Sequence, residues 1–295
     1  MEFLYVLGAG FLLLAATLHQ IGRIDSSAKQ PKRKNMQYVS EHETQRLFLL
    51  KERVWDAFCA EQYATARDYL RQMADLITPD QLAVNLAICY LYERNTGDAL
   101  TTLSLALDTT PSNPELMALL ADSYLAMGDS DEAKSWSDRS FATKTPSIHV
   151  SIAAARIAFH HKAYDEVLRH TQQASFFLKN SHHKDVFSLL LQADCLLLKA
   201  QAYFFLGRDN DAVLELIKVQ TPPLLEATAL ACLAAIYHHE DDDNHAISTL
   251  QKLIAKYPRY KYVSALMDAV ELPPSLMNAL HAALWKYRTS LNCKF

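Results

Sequence analysis

Glycine is scarce in this sequence. The chain has 6 glycines among 295 residues, whereas average usage of roughly 7% would give about 20. Dinucleotide-binding folds, phosphate-binding loops and many-stranded β-sandwiches need glycine where the backbone turns sharply or approaches a ligand. The composition therefore argues against these classes and favours a chain built of helices.

Sequence patterns of catalysis and metal binding are also missing. There is no G-x-G-x-x-G, G-x-x-x-x-G-K-[ST], H-E-x-x-H or G-x-S-x-G. The five cysteines are an odd number without a C-x-x-C pair, which is typical of free thiols in reducing surroundings. One run, HHEDDDNH at 238–245, is rich in potential ligands, and a solvated acidic turn is its simpler interpretation. We expect no enzyme activity, cofactor or metal, with a metal-dependent enzyme using this run as a remote alternative.

Charge is unevenly distributed along the chain. Residues 1–40 contain five basic and two acidic residues, so they carry +3 within a total of −4 and leave −7 on the remainder. An acidic body of this kind argues against nucleic acid as a partner.

The sequence begins with an apolar segment. Residues 3–22 contain no Lys, Arg, Asp or Glu, and a helix of about 20 such residues spans a ~30 Å hydrocarbon core. Basic residues follow the segment and none precedes it, which predicts a body on the cytoplasmic side and disfavours a cleaved signal peptide. We predict an anchor over 1–24 and a basic linker over 25–44, in a bacterial inner membrane or an organelle outer membrane.

The body contains six units, most of them about 34 residues long. Each unit has a small or β-branched residue in its first helix: Val54, Ala87, Ala121, Ala155, Ala200 and Ala234. Twelve residues later its second helix has another: Ala66, Ala99, Ala133, Val167, Ala212 and Ala246. Successive units are 33, 34, 34, 45 and 34 residues apart. Small residues at these positions let two antiparallel helices approach to about 8–10 Å.

Other residues recur in phase with these units. Three residues after the first small residue, four units carry a tyrosine that we expect to fill the gap between hairpins: Tyr90, Tyr124, Tyr203 and Tyr237. Prolines follow five units: Pro79, Pro111, Pro146, Pro222 and Pro258. We place Gly97, Gly128 and Gly207 at the turns inside hairpins. The longer interval adds eleven residues near 175–191, which predicts either longer helices or a protruding loop.

The pattern resembles the tetratricopeptide repeat. The best matches are NLAICYLYERNTGDALTTLSLALDTTP at 85–111 and LLADSYLAMGDSDEAKSWSDRSFATKTP at 119–146. The resemblance implies an all-α solenoid of six helical hairpins over 45–260. We expect capping helices over 261–295, where Pro273 and Pro274 separate two apolar stripes.

The resemblance also implies a binding site. In this family the first helix of each repeat lines a concave groove that receives a peptide segment or a partner helix. Projected onto this sequence, the groove contains Lys51, Trp55, Phe58, Tyr92, Asp122, Arg156, Phe159, His160, Gln201, Phe204 and Phe205. Further candidates at the same positions are Ile88, Leu91, Ile152, His238 and His239.

The predicted function is a membrane-anchored scaffold that binds partner proteins through this groove and supports assembly of a complex at the membrane. The alternative reverses the topology and makes the chain a secretory-side or periplasmic assembly factor for pili or a secretion machine.

Overall fold

The computed structural model of the protein describes residues 41–145, 147–180 and 186–257. These residues form twelve α-helices and no strand. The helices are α1 (Glu41–Cys59), α2 (Tyr63–Arg71), α3 (Pro79–Tyr92), α4 (Thr96–Thr109), α5 (Pro114–Ala126), α6 (Ser130–Ala142), α7 (Ile148–His160), α8 (Tyr164–Asn180), α9 (Val186–Phe205), α10 (Asp209–Leu216), α11 (Pro223–His239) and α12 (Asp243–Lys256). None of these twelve has the length and hydropathy needed to cross a bilayer. The predicted anchor at 3–22, most of the basic linker and the capping helices lie outside the described ranges.

Consecutive helices form six hairpins, one for each predicted unit. The six small residues of the second helices are all 0% exposed, and those of the first helices are at most 4% exposed. Side chains of this size at the crossing point let the two backbones approach closely. The prediction of an all-α chain of tetratricopeptide-like hairpins is therefore confirmed for the part of the chain that the structure describes.

The helices belong to two compact units that divide after Val150. The N-terminal unit contains the first three hairpins, in which each helix contacts the next and first helix α3 also contacts first helix α5. In the C-terminal unit, α11 contacts both α10 and α12. First helices α3 and α11 thus pack against their own hairpin partners and against helices of neighbouring hairpins, as stacked repeats require.

Every hairpin turn uses the same backbone conformation. The residue seven positions after the first-helix crossing residue has positive φ in all six hairpins: Glu61, Arg94, Gly128, Lys162, Gly207 and Asp241. The next N–H donates to a carbonyl five residues earlier, as in Gln62 to Ala57 at 2.8 Å and Asp242 to Tyr237 at 2.8 Å. This arrangement is the Schellman motif, which satisfies the last carbonyls of a helix.

Only two of these six positions are glycine, although glycine is the residue that tolerates positive φ best. The placement of Gly128 and Gly207 in hairpin turns is confirmed. Gly97 instead lies inside the first turn of α4, and the left-handed residue of its hairpin is Arg94, with φ of 64°.

Polar side chains mark the starts of several helices. Asn95, Asp129 and Asp242 each accept a hydrogen bond from a backbone N–H three residues later, at 3.3, 3.1 and 3.2 Å. Thr78 and Gln81 form a capping box at α3, where Pro79 is the first helical residue. Pro79 therefore begins a helix instead of ending the preceding unit, because proline fits the first turn, where its missing N–H has no role.

The longer interval between repeats four and five is taken up at least in part by helix length. Helix α8 has 17 residues and α9 has 20, whereas α5 and α6 have 13 each. Residues 181–185 between α8 and α9 lie outside the described ranges.

The strained turn positions predict a gain in stability from glycine. Glu61 is exposed, with φ of 58°. We expect Glu61→Gly to raise the free energy of unfolding by about 1 kcal/mol, because glycine removes the clash between Cβ and backbone in the left-handed region. Thermal and urea unfolding followed by circular dichroism measure the change.

The matched control is Glu61→Ala, which removes the carboxylate but keeps Cβ and should give no such gain. Gly128 has φ of 85° and open space around its position, so Gly128→Ala should lower stability by a similar amount through strain alone. Equal stability of all three variants would contradict this account of the turns.

Candidate partner-binding surface

The eleven predicted binding residues differ widely in exposure. His160 is exposed, and the half-buried members are Lys51, Trp55, Tyr92, Phe159, Phe204 and Phe205. The remaining four are at most 6% exposed: Phe58, Asp122, Arg156 and Gln201. A partner can therefore reach the first group directly, while the second group lies in the interior of this structure. A binding role stays a prediction for both groups.

The burial of these four residues is explained by how completely neighbouring helices cover the first helices. Every residue from Leu116 to Ser123 in α5 is buried, and so is every residue from Leu225 to Ala234 in α11. A helix that is apolar around most of its circumference is covered on most sides. Accessible positions of such helices lie near their ends, so the hairpin turns carry much of the reachable first-helix surface.

Arg156 takes part in a buried ion pair within the C-terminal unit. Its Nη2 donates a hydrogen bond to Oδ2 of Asp194, and the two side chains are 1% and 3% exposed. The pair joins α7 of repeat four to α9 of repeat five. Removing one member of such a pair leaves a charge in a medium of low dielectric constant, which is strongly destabilising.

Two buried first-helix amides, Asn85 and Gln201, have polar atoms without hydrogen-bond partners among the described residues. Asn85 in α3 is 1% exposed, and neither its Oδ1 nor its Nδ2 has a hydrogen-bond partner among the described residues. Gln201 in α9 is 6% exposed, and its Nε2 has no such partner either. Buried amides are normally hydrogen-bonded, which makes these positions unusual.

Three aromatic rings meet at the junction of repeats one and two, near the hairpin turns. The ring of Phe58 lies 5.3 Å from that of Tyr63 and 4.8 Å from that of Tyr92, both edge to face. Tyr63 and Tyr92 are 5.9 Å apart. The trio connects both helices of one hairpin to the first helix of the next.

The same trio recurs at the junction of repeats four and five, at identical repeat positions. Phe159 lies 5.8 Å from Tyr164 and 5.7 Å from Phe205, and the rings of Tyr164 and Phe205 stack at 4.9 Å with an interplanar angle of 6°. Aromatic pairs in these geometries contribute about 0.5–1.5 kcal/mol beyond their buried area.

The junction of repeats five and six carries a polar version of the trio. Phe204, Asp209 and His239 occupy the three equivalent positions. The Phe204 and His239 rings are 5.3 Å apart, and Nδ1 of His239 lies 3.2 Å from Oδ2 of Asp209. Phe204 also contacts Phe205 at 5.6 Å. The C-terminal unit therefore has a continuous turn-end ring cluster, which consists of Phe159, Tyr164, Phe204, Phe205 and His239.

We expected the recurring tyrosines to fill the gaps between hairpins. Among those with ring contacts described here, Tyr90 contacts a neighbouring hairpin, and Tyr203 and Tyr237 contact their own. Tyr90 spans two hairpins, since its ring lies 4.4 Å from the guanidinium of Arg67 in α2. Tyr203 instead contacts Arg208 of its own hairpin at 4.4 Å, and Tyr237 contacts His245 of its own hairpin at 5.3 Å. At the three junctions that carry a trio, the space between hairpins near the turns is filled by its members. They lie four and nine residues after the crossing residue of one first helix and five residues after that of the next.

The acidic run at 238–245 forms the turn between α11 and α12. Its histidines bond separate carboxylates: His238 to Asp243 at 3.0 Å, His245 to Asp242 at 2.6 Å, and His239 to Asp209 outside the run. The described residues contain no group of three ligands placed to hold a metal ion.

Cys59, Cys89, Cys195 and Cys232 are free thiols. Burial raises the pKa of Cys89 and of Cys232 to about 12 and that of Cys195 to about 11. Thiols protonated at neutral pH are poor nucleophiles, so these side chains act as small apolar groups.

Sequence reasoning missed Asn85 and Asp194. The available signal was an acidic or amide residue inside a mostly apolar first-helix run, as in LLLQADCLLLKA at 189–200, where Asp194 is the only acidic residue. Asp209 was missed because acidic residues are common in helix first turns, and its partner His239 lies 30 positions away.

Comparisons with known proteins agree with this architecture. A family model described as tetratricopeptide repeat matches residues 90–157. A solved structure of the APC/C hetero-tetramer Cut9–Hcn1 aligns with 78% of this chain at a TM-score of 0.61 and 17% identity. The match covers 46% of that solved chain, so this chain corresponds to less than half of it.

A thermophilic tetratricopeptide protein from Thermus thermophilus aligns over 70% of this chain and 99% of its own, at 17% identity and a TM-score of 0.46. The TPR2AB domain of yeast Sti1 aligns over 82% and 99%, at 12% identity and a TM-score of 0.32. No curated protein matches the sequence.

The buried ion pair generates a stability prediction. We expect Asp194→Leu to lower the free energy of unfolding by about 3–5 kcal/mol, because it removes the carboxylate that accepts a hydrogen bond from the buried Arg156 guanidinium. Urea unfolding of the full chain, followed by circular dichroism, measures the loss.

The double variant Arg156→Met with Asp194→Leu tests the cause. Replacing a whole buried pair by apolar side chains is often neutral or stabilising, so the double variant should recover most of the lost stability. A double variant as unstable as Asp194→Leu would show that packing, and not charge, accounts for the effect.

Proposed function

The chain carries tetratricopeptide repeats, and we propose that it is a membrane-anchored scaffold that captures partner proteins on the turn-end ring cluster of its C-terminal unit. Repeats of this kind serve as protein-interaction scaffolds. The single observation that supports this location of the binding surface is that a partner can reach the cluster. Phe159, Phe204 and Phe205 are half-buried and His239 is exposed.

Partly exposed aromatic side chains suit partner recognition. Aromatic residues are enriched among the few interface residues that dominate binding energy, and they work best where neighbouring groups exclude water. Here each ring is already held by another ring at 4.9–5.8 Å. Rings fixed in this way lose little side-chain entropy when a partner binds.

The membrane part of the proposal is supported by residues 3–22, which contain no charged side chain. The basic residues at 29–34 follow this segment and favour a cytoplasmic location of the repeats by the positive-inside rule. The scaffold would then act within reach of the bilayer and concentrate its partners there.

The capture proposal is tested by Phe204→Ala. We expect the recovery of partners in affinity purification from cross-linked membranes to fall at least about tenfold for this variant, because aromatic side chains in an interface carry much of its binding energy. Leu214, which is 53% exposed on α10, supplies the matched control, and Leu214→Ala should recover partners like the wild type. Unchanged recovery by Phe204→Ala, with helix content retained by both variants, would place the binding surface elsewhere.

The anchor is tested separately. Replacing Leu12 and Leu13 by Arg costs roughly 2.5–3.5 kcal/mol each in the centre of a membrane helix, so the variant should move from the membrane fraction to the soluble fraction. Leu12→Ile with Leu13→Val is the control and should stay with membranes. A C-terminal phosphatase reporter that is active outside the cytoplasm would contradict the orientation and support the secretory-side alternative.

A further inference from the structure

The turn-end ring cluster lies beside the longest acidic run of the sequence, residues 240–243. The ring of His239 contacts that of Phe204 at 5.3 Å, and its Nδ1 lies 3.2 Å from Oδ2 of Asp209. This contact brings the turn of repeat five against the turn of repeat six. We call the surface of these two turns the acidic turn face. Its carboxylates are Asp209, Asp211, Glu240, Asp241, Asp242 and Asp243.

Few cations balance this face. The sequence has no lysine or arginine between Lys218 and Lys252. Arg208 is the one such cation in residues 206–211 and 238–243, and it is already paired, since its Nη2 lies 2.7 Å from Oδ2 of Asp211. Six carboxylates against one guanidinium leave a formal charge of −5 on the two turns, with histidine neutral.

The carboxylates of this face are ionised at neutral pH and accessible. The backbone N–H of His245 donates to Asp242 at 3.2 Å, and this bond, together with the His245 ring, holds the pKa of the Asp242 carboxyl below its usual value. Glu240 and Asp241 are exposed and form no ion pair among the described residues. A cation of a partner can therefore pair with Glu240 and Asp241 without displacing another group.

The ring cluster gives the same surface an aromatic side. Phe204 and Phe205 are half-buried, and Leu206 in the same turn is 37% exposed. A guanidinium both stacks on aromatic rings and pairs with carboxylates, whereas an ammonium acts as a point charge. This turn already contains one such combination, because Arg208 lies over the ring of Tyr203 at 4.4 Å while it pairs with its carboxylate.

We propose that the turn-end ring cluster and the acidic turn face together bind an arginine-rich segment of a partner protein. Its guanidinium groups contact Phe204 and pair with Glu240 and Asp241. This inference rests on the proposed function and specifies the chemistry of the partner. Charge decides the occupant, because acidic segments would be repelled from this face and cationic segments attracted to it over a long range at low salt.

The test measures binding of labelled twelve-residue peptides to the full chain in nonionic detergent at low salt. One peptide carries four arginines spaced by glycine and serine, and two others carry citrulline or lysine at the same positions. We expect the arginine peptide to bind at least about tenfold more tightly than the citrulline peptide, which has the same shape without the charge. It should bind roughly two- to fivefold more tightly than the lysine peptide, as an exposed cation–π contact provides. Equal affinities of the arginine and citrulline peptides would overturn the proposal.

Paired charge variants of the chain locate the binding. Glu240→Gln with Asp241→Asn removes two exposed carboxylates, and asparagine tolerates the φ of 59° at position 241. The matched control, Asp131→Asn with Glu132→Gln, removes two exposed carboxylates from the first turn of α6. The first pair should weaken the arginine peptide at least about fivefold and flatten its salt dependence, and the control should change neither. Equal losses in both pairs would show unspecific attraction to an acidic chain and overturn the proposal.

Phe204→Leu tests the part played by the ring. Leucine keeps most of the apolar volume, so helix content should stay the same while the arginine peptide weakens to about the affinity of the lysine peptide. Phe176→Leu, at a ring that is 63% exposed on α8, is the control and should bind like the wild type. Unchanged binding by Phe204→Leu would overturn the proposal.

The two proposals fail separately. An arginine peptide that does not bind, together with loss of partners by Phe204→Ala, would remove this inference and leave the proposed function. Unchanged partner recovery by Phe204→Ala would remove the proposed capture site, whatever the peptides do.

Discussion

The structure depends on the close crossing of two helices inside each hairpin. At all six crossings a small or β-branched residue on each helix is almost fully buried, so no larger side chain holds the two backbones apart. Once the crossing is this close, the turn that joins the helices must be short, and the left-handed residue seven positions after the crossing satisfies that requirement. The repeat length and the direction of the second helix both follow from this constraint.

Residues near these turns vary much more than the crossings do. Three junctions carry different side chains at the same three repeat positions. Phe58, Tyr63 and Tyr92 occupy these positions between repeats one and two, and three other aromatic residues occupy them between repeats four and five. At repeats five and six, Asp209 and His239 replace two of the rings. Because the crossing already determines the stacking, these positions can change chemistry without changing the fold. A binding surface can therefore differ from one junction to the next.

The fold was predictable from the sequence to a greater extent than the site. Small residues at a fixed spacing report helix contacts directly, which is why the twelve crossing residues and the hairpins they form were predicted correctly. The exposure of individual side chains was harder to predict, because a residue's position in its repeat does not show how completely neighbouring hairpins cover the helix. The burial of Arg156 was not predicted for this reason, since its partner Asp194 lies 38 positions later in the sequence. Contacts between residues that far apart leave no periodic signal.

The buried pair of Arg156 and Asp194 has a consequence for how the repeats find their order. Hairpins of similar shape present similar apolar faces, so apolar packing alone discriminates poorly between a correct neighbour and another hairpin. A hairpin that carries a buried cation packs favourably only against a neighbour that supplies a carboxylate at the matching position. The junction of repeats four and five is therefore specified by charge as well as by shape, and an exchange of neighbours there would leave two charges stranded away from water.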